Sequence, residues 1–179
     1  MEPGSRRVMI LSDTHGSLPD AVLRACEGAD HIIHAGDAGA DEILMALGAI
    51  APVTAVCGNV DRRDIAPMRA RVQVGRWRIL VQHIVWAGEG PSGEVRDLLS
   101  GENADLLVFG HTHQPLCRQE GGVVFFNPGS CGPKRFSLPQ SYAEAILGTE
   151  EGRFRIFGLE GAAPKAVIFE GKFHLAGSG

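Results

Sequence analysis

The sequence predicts an α/β fold in which two β-sheets pack face to face with helices outside. Two observations carry this. Short, nearly continuous apolar runs, each stopping at Gly or a polar residue, read as strands buried on both faces. Helix-like segments separate these runs in the first half, whereas the second half turns to antiparallel β. In order, residues 8–11 run into Ser12-Asp13-Thr14-His15-Gly16, residues 31–34 into Ala35-Gly36-Asp37, and residues 53–56 into Cys57-Gly58-Asn59. Residues 77–81 then reach Gln82-His83, and 106–109 reach Gly110-His111-Thr112-His113. Helices are expected over 19–26, 41–47 and 94–99, with Gly28, Gly48 and Gly101 as their C-terminal stops. Gly75-Arg76, between 72–74 and 77–83, suits a type II′ hairpin turn. Residues 123–126, 141–147 and 153–157 are strand-like, the last two joined across 148–152. One more strand is expected at 166–169. Residues 1–179 are read as a single domain, with about 160–179 a peripheral strand and a flexible Gly/Ser tail.

Composition narrows the function classes. With 17 Lys and Arg against 21 Asp and Glu, the net charge of −4 argues against a broad basic face for duplex nucleic acid. At 44% hydrophobic and 21% charged residues the chain has ordinary globular composition, and no apolar run approaches the ~20 residues that span a bilayer. The run at 8–11 is too short for a signal sequence. Cys26, Cys57, Cys117 and Cys131 form no CxxC pair, so reduced thiols in the cytoplasm are expected, and any metal must use other ligands.

Asp13, His15, Asp37, Asn59, His83, His111 and His113 all sit at or just past strand C-terminal ends, the edge where α/β sheets gather ligands. A lone Asp-x-His pair is cheap, with roughly 0.35 expected by chance at this composition. Five such motifs in succession, each capping a separate apolar run, are not. Two carboxylates, four imidazoles and one amide exceed a closed four-coordinate zinc site and fit two ions better. A carboxylate can bridge two cations about 3.5–4 Å apart, and a water between them becomes a hydroxide near neutral pH, a nucleophile for in-line attack at phosphorus. Phosphoester hydrolysis is the predicted chemistry. The N/O donor set suits manganese (Mn), iron (Fe), nickel (Ni) or zinc (Zn).

These motifs, with Asn127-Pro128-Gly129-Ser130 after the last, resemble the signature of calcineurin-like metallophosphoesterases, and the short chain resembles the family's small prokaryotic phosphodiesterase subgroup. The resemblance implies a four-layer αββα sandwich with two mixed β-sheets. It implies that Asp13, His15 and His113 hold one metal, that Asp37 bridges, and that Asn59, His83 and His111 hold the other, with Asp37, Asn59 and His111 as the catalytic set. Two divalent metal ions, Mn foremost, are the expected cofactors. The expected partner is a small phosphodiester substrate; membrane and dedicated nucleic-acid binding are not expected, and a homo-oligomer is admissible. The alternative is a catalytically silent scaffold of the same fold that binds partner proteins. Two positions depart from the family pattern. Val60 stands where many members carry a His, which points to diesters with acidic leaving groups. Ile84, Val85 and Trp86 follow His83 in place of Gly, with Gly88 and Gly90 restoring loop freedom or Trp86 shaping the pocket wall. Two divalent ions, set against two carboxylates and a hydroxide, leave a site of roughly +1 inside an acidic chain.

Other candidates read more simply. His31, His34 and His174 fall outside the pattern, and Cys57 and Cys131 read as small buried thiols. Asp61 is either a support for the site or a turn acceptor. Arg62-Arg63 and Lys134-Arg135 read as surface charge rather than phosphate clamps. Gly88 to Gly93 matches GxGxxG but lies mid-chain without the following acidic residue, so a loop entering a helix explains it better than a dinucleotide site.

Overall fold

The computed structural model describes residues 2–87, 90–134, 137–160 and 163–175. Strands β1 (Arg6–Leu11), β2 (His31–His34) and β3 (Val53–Ala55) are linked by helices α1 (Asp20–Ala25) and α2 (Asp41–Gly48). They pair in parallel, as βαβ connections require. β11 (Gln140–Leu147), β12 (Glu151–Glu160) and β13 (Ala163–His174) add antiparallel neighbours on the far side of β1, giving a six-stranded mixed sheet of order β13-β12-β11-β1-β2-β3. The second mixed sheet has the order β4-β5-β8-β10-β9, from β4 (Arg69–Val74), β5 (Trp77–Gln82), β8 (Leu106–Val108), β9 (Leu116–Glu120) and β10 (Val123–Asn127). A short ribbon of β6 (Trp86–Ala87) and β7 (Gly90–Pro91) leads into α3 (Gly93–Glu102).

Side-chain alternation along the strands builds four layers. Val8 and Ile10 of β1 face Leu106, Val108 and Phe126 in a buried cluster between the sheets. Met9 and Leu11 point the other way, onto Val22, Ile43 and Leu47 of α1 and α2. In the second sheet Leu107 and Phe125 turn outward against Val95 of α3. Helix, sheet, sheet and helix therefore stack around three apolar interfaces, as the αββα expectation has it. The β4–β5 hairpin closes on Val74 and Trp77 with Gly75 at φ +58°. Among the described residues, no helix is long and apolar enough to cross a membrane.

Several elements differ from the sequence reading. Gly48 and Gly101 lie inside their helices; α2 ends on Ala49 in right-handed conformation, and α3 on Asn103 at φ +49°. Asn is the other residue that tolerates the left-handed cap, so Gly101 is not needed there. β9 is an additional strand, and β13 runs well beyond 166–169 as the sheet's edge. The expected tail from residue 176 lies outside the described residues. Trp86 packs onto the second sheet: it stacks on Phe125 (5.8 Å between centroids) and meets Phe109 edge-on (5.2 Å), with Arg118 over its ring at 5.1 Å. Gly88 and Glu89 lie outside the described residues. The Ser92 hydroxyl caps α3 by accepting from the Val95 amide at 3.2 Å, so the described part of the GxGxxG match serves as a helix entry.

Candidate metal centre

β1, β2 and β3 of one sheet and β5 and β8 of the other end at the same edge of the sandwich. The loops that follow remain stitched together: the Asp13 amide donates to the Gly36 carbonyl (2.9 Å), the His15 amide to that of Asp37 (2.9 Å), and the Gly110 amide to that of His83 (3.1 Å). The chain must then kink sharply to aim consecutive side chains inward. Asp13, His15, Asp37, His111 and His113 all have φ between +48° and +67°, and among the described residues only Asn103 joins them as a non-glycine in that region. Left-handed backbone at such residues is unfavourable and persists where the surroundings over-determine it, a pattern that concentrates at functional sites. Backbone packing is equally close. A Cβ on Gly58 would collide with Asp37, and one on Gly110 with the Ser12 hydroxyl and Asp13.

The kinks bring the side chains together. Asp13, His15 and His113 present ligand atoms within 4.8 Å of one another, and Asp13, Asp37 and His83 do the same. Asp13 Oδ1 lies 3.1 Å from His113 Nε2, 3.9 Å from His15 Nε2 and 4.0 Å from His83 Nε2. Asp37 Oδ2 lies 3.3 Å from His83 Nε2 and 4.0 Å from His15 Nε2, so it reaches both halves of the cluster. His111 stands outside these two sets, and it and Asn59 are exposed beside them; Asn59 Oδ1 and His111 Nδ1 are 2.9 Å apart, and the His111 ring meets that of His83 edge-on at 5.4 Å. Asp13 is thus shared by both tight sets, and Asp37 spans them.

Supporting bonds fix each orientation. Asp13 Oδ2 accepts from the Ser12 hydroxyl (2.6 Å) and the His111 amide (3.1 Å). His83 Nδ1 donates to the Ala35 carbonyl at 2.7 Å, which leaves Nε2 as the inward-facing nitrogen. Asn127 Nδ2 donates to the Gly110 carbonyl and Thr112 Oγ1, both at 3.0 Å, and the Ser130 hydroxyl donates to the Asp13 carbonyl at 2.8 Å. Asp61 takes three backbone amides, from Ala38 (3.1 Å), Gly39 (2.7 Å) and Gly58 (2.8 Å), and so clamps the Asp37 loop to the Asn59 loop. It is a support, not a mere turn acceptor. The Asn127 and Asp61 contacts are with loop backbone or its hydroxyl, which spacing along a sequence does not reveal.

A cation fits this arrangement. Asp13 Oδ1 and His83 Nε2 are buried without a well-directed hydrogen bond, although His113 Nε2 and Asp37 Oδ2 stand 3.1 and 3.3 Å from them, so each is served only by a neighbouring ligand candidate. Burial works against the Asp37 carboxylate, but contact with His83, the Val60 amide and the charges of His83 and His15 outweigh it and hold the group at about 2. For His83, burial pulls downward while Asp37, Asp13 and the Ala35 carbonyl pull its pKa above the ordinary range. The pocket therefore favours positive charge.

The remaining candidates behave as structure. His34 is fully buried with Nε2 2.9 Å from Thr14 Oγ1, and burial pushes it down to about 4. His31 bonds Thr54 at 2.8 Å. The Cys57 thiol donates to the Ala66 carbonyl at 2.8 Å, and burial pushes the Cys131 thiol up to about 12. Arg62 is exposed and paired with Asp41 and Asp64. Lys134 borders a small recess with His113, and Arg135 lies outside the described residues.

Residues 7–151 match the calcineurin-like phosphoesterase superfamily domain. A probable metallophosphoesterase of Methanothermobacter thermautotrophicus is 36% identical over 146 residues, 78% of this chain and 85% of that protein. Phosphodiesterase YfcE of Escherichia coli is 29% identical over 157 residues, 76% of this chain and 85% of YfcE. Among solved structures, vacuolar protein sorting 29 from Cryptosporidium parvum superposes with a TM-score of 0.81 at 19% identity, over 95% of this chain and 98% of that one, a likeness of fold alone.

Proposed function

The chain belongs to the calcineurin-like phosphoesterase superfamily, and from that premise we propose that it is a cytoplasmic phosphodiesterase that hydrolyses a small phosphodiester with two divalent metal ions. The observation that carries this reading is the pair of buried atoms without a hydrogen bond, Asp13 Oδ1 and His83 Nε2, whose near neighbours are other carboxylates and imidazoles of the same cluster. Asp13, His15 and His113 would hold one ion, Asn59, His83 and His111 the other, with Asp37 between them. Manganese heads the candidates for this N/O donor set. When bound, the ions supply Lewis-acid charge and acidify a water for in-line attack on phosphorus.

The chain's own residues account for the rest. Asp61, Ser12 and the Ala35 carbonyl hold the ligands in place before substrate arrives. Asn59 and His111, on the solvent side, are positioned to meet the phosphate as it enters. Val60, 54% exposed, offers no proton beside Asn59, so the leaving group departs on its own acidity. A steep dependence of rate on leaving-group pKa is expected across a series of aryl diesters, and a flat one would remove this point.

The decisive test is metal content by mass spectrometry together with hydrolysis of bis(p-nitrophenyl) phosphate in manganese-supplemented buffer. Two equivalents of metal and measurable turnover are expected. A chain that takes up no metal and turns over no diester would instead be a catalytically silent scaffold for partner proteins.

A further inference from the structure

A groove of about 440 Å³ opens beside the ligand cluster, walled by Asn59, Met68, Arg69, His83 and Ile84 among others. Two of these walls belong to the candidate centre, so a diester whose phosphorus sits at the cluster extends an arm into the groove. Its rim is apolar. Of six large hydrophobic side chains exposed among the described residues, two line this groove, Met68 at 55% and Ile84 at 42%. Single exposed hydrophobic residues need no explanation, but two that face one cavity sharing residues with a reactive site form a recognition surface.

The groove's arginine does not change that character. Arg69 Nε donates to Gln82 Oε1 at 2.8 Å, and its Nη2 to Glu94 Oε1 at 2.9 Å. Its charge is compensated and its fork already engaged, so it does not call for a second anion. A second phosphate placed here would meet the Glu94 carboxylate and lose water against Met68 and Ile84, which return no hydrogen bond.

We propose that this groove receives an uncharged, apolar arm of the phosphodiester, an aryl or comparable hydrocarbon group. The proposal rests on the phosphodiesterase reading above and names the substrate class for it.

The test uses phosphinic-acid analogues, which have no P–O–C bond to cleave and differ only in that arm, titrated calorimetrically into the manganese-supplemented full chain: benzyl(methyl)-, dimethyl- and carboxymethyl(methyl)phosphinic acid. The benzyl compound is expected to bind about tenfold more tightly than the dimethyl compound, the usual reach of an apolar pocket, and the carboxymethyl compound more weakly than either. In a Met68→Ser/Ile84→Ser double variant, both sites being exposed, the benzyl preference is expected to vanish while the melting temperature stays unchanged. Equal affinity for the benzyl and dimethyl compounds in the parent chain, a preference for carboxymethyl, or a benzyl preference undiminished in the variant would overturn the proposal. Turnover is read separately: a benzyl preference that follows this pattern without hydrolysis of bis(p-nitrophenyl) phosphate removes the catalytic reading and leaves the groove's assignment standing.

Discussion

Asp13, Asp37 and His83 are at most 3% exposed, and two of them carry atoms that no hydrogen bond satisfies, whereas Asn59 and His111 stand in solvent and meet each other at 2.9 Å. The two sides of the proposed centre are therefore prepared differently. The buried side is held by kinked backbone, by Asp61 and by Ser12, and its electrostatics are incomplete without a cation. Water and a mutual hydrogen bond already serve the exposed side. An ion enclosed by the first is expected to exchange slowly, and one completed by the second to exchange freely, since residues there leave their hydrogen bond at little cost.

Substitutions on the two sides should separate them. Asp37 reaches both, so Asp37→Ala should have the largest effect, a loss of about 10³-fold in kcat for bis(p-nitrophenyl) phosphate, ~4 kcal/mol, with both metal equivalents lost. Full activity in that variant would sink the mechanism. Acid should act next, and chiefly beneath the buried side. His34 lies beneath that side with its folded pKa lowered to about 4 by burial, so the unfolded chain binds the proton first as pH falls. Its contribution is complete above pH ~6.5 and disappears progressively toward pH ~4, about 3 kcal/mol in all. Melting temperatures measured over this window should slope downward, and His34→Gln should flatten the slope; an unchanged slope removes His34 as the cause.

Asp61→Ala should cost 10- to 100-fold in activity or metal affinity, roughly 1.4–2.7 kcal/mol, because three amides lose their acceptor and the Asp37 loop is freed. Asp61→Asn, with one carbonyl oxygen left, should recover part of this; indifference to both changes would reduce Asp61 to a turn residue. Gly110→Ala should destabilise by about 1–3 kcal/mol, measured by urea unfolding, because its methyl meets the Ser12 hydroxyl and Asp13. Gly48→Ala is the smallest effect and of opposite sign. That glycine is inside α2 with open space at its Cβ, so about 0.5–1 kcal/mol of stabilisation is expected from the same titration.

The gathering of the candidate ligands at one sheet edge was legible in the sequence because each follows an apolar run, and hydrophobic periodicity locates strand ends well. Periodicity also placed the helices and the β4–β5 hairpin. It failed at β9, whose residues Leu-Cys-Arg-Gln-Glu are half-buried to exposed at a sheet edge and carry no apolar alternation. At β13 it found only 166–169, since Gly171 and Lys172 interrupt the pattern on an edge strand. Left-handed conformations at Asp13 or His113 leave no compositional trace, because glycine, the usual marker, cannot supply a ligand. The reach of Asp61 to Ala38 and Gly39 was hidden for another reason: its partners are main-chain amides, which every residue has.

The place of β1 in the six-stranded sheet bears on how the protein matures. β1, which leads to Asp13, lies between β2 and β11, and pairs with residues as late as Leu147. During synthesis every candidate ligand has been made by His113, while one edge of β1 waits for a partner still to come. Until β11 arrives, the nascent chain exposes an unpaired strand at the centre of the future sheet, a site open to mispairing with another chain. Non-local pairing of this kind also slows folding. The interval between His113 and β11 is therefore where a chaperone, or early capture of a metal ion, would have most influence on yield.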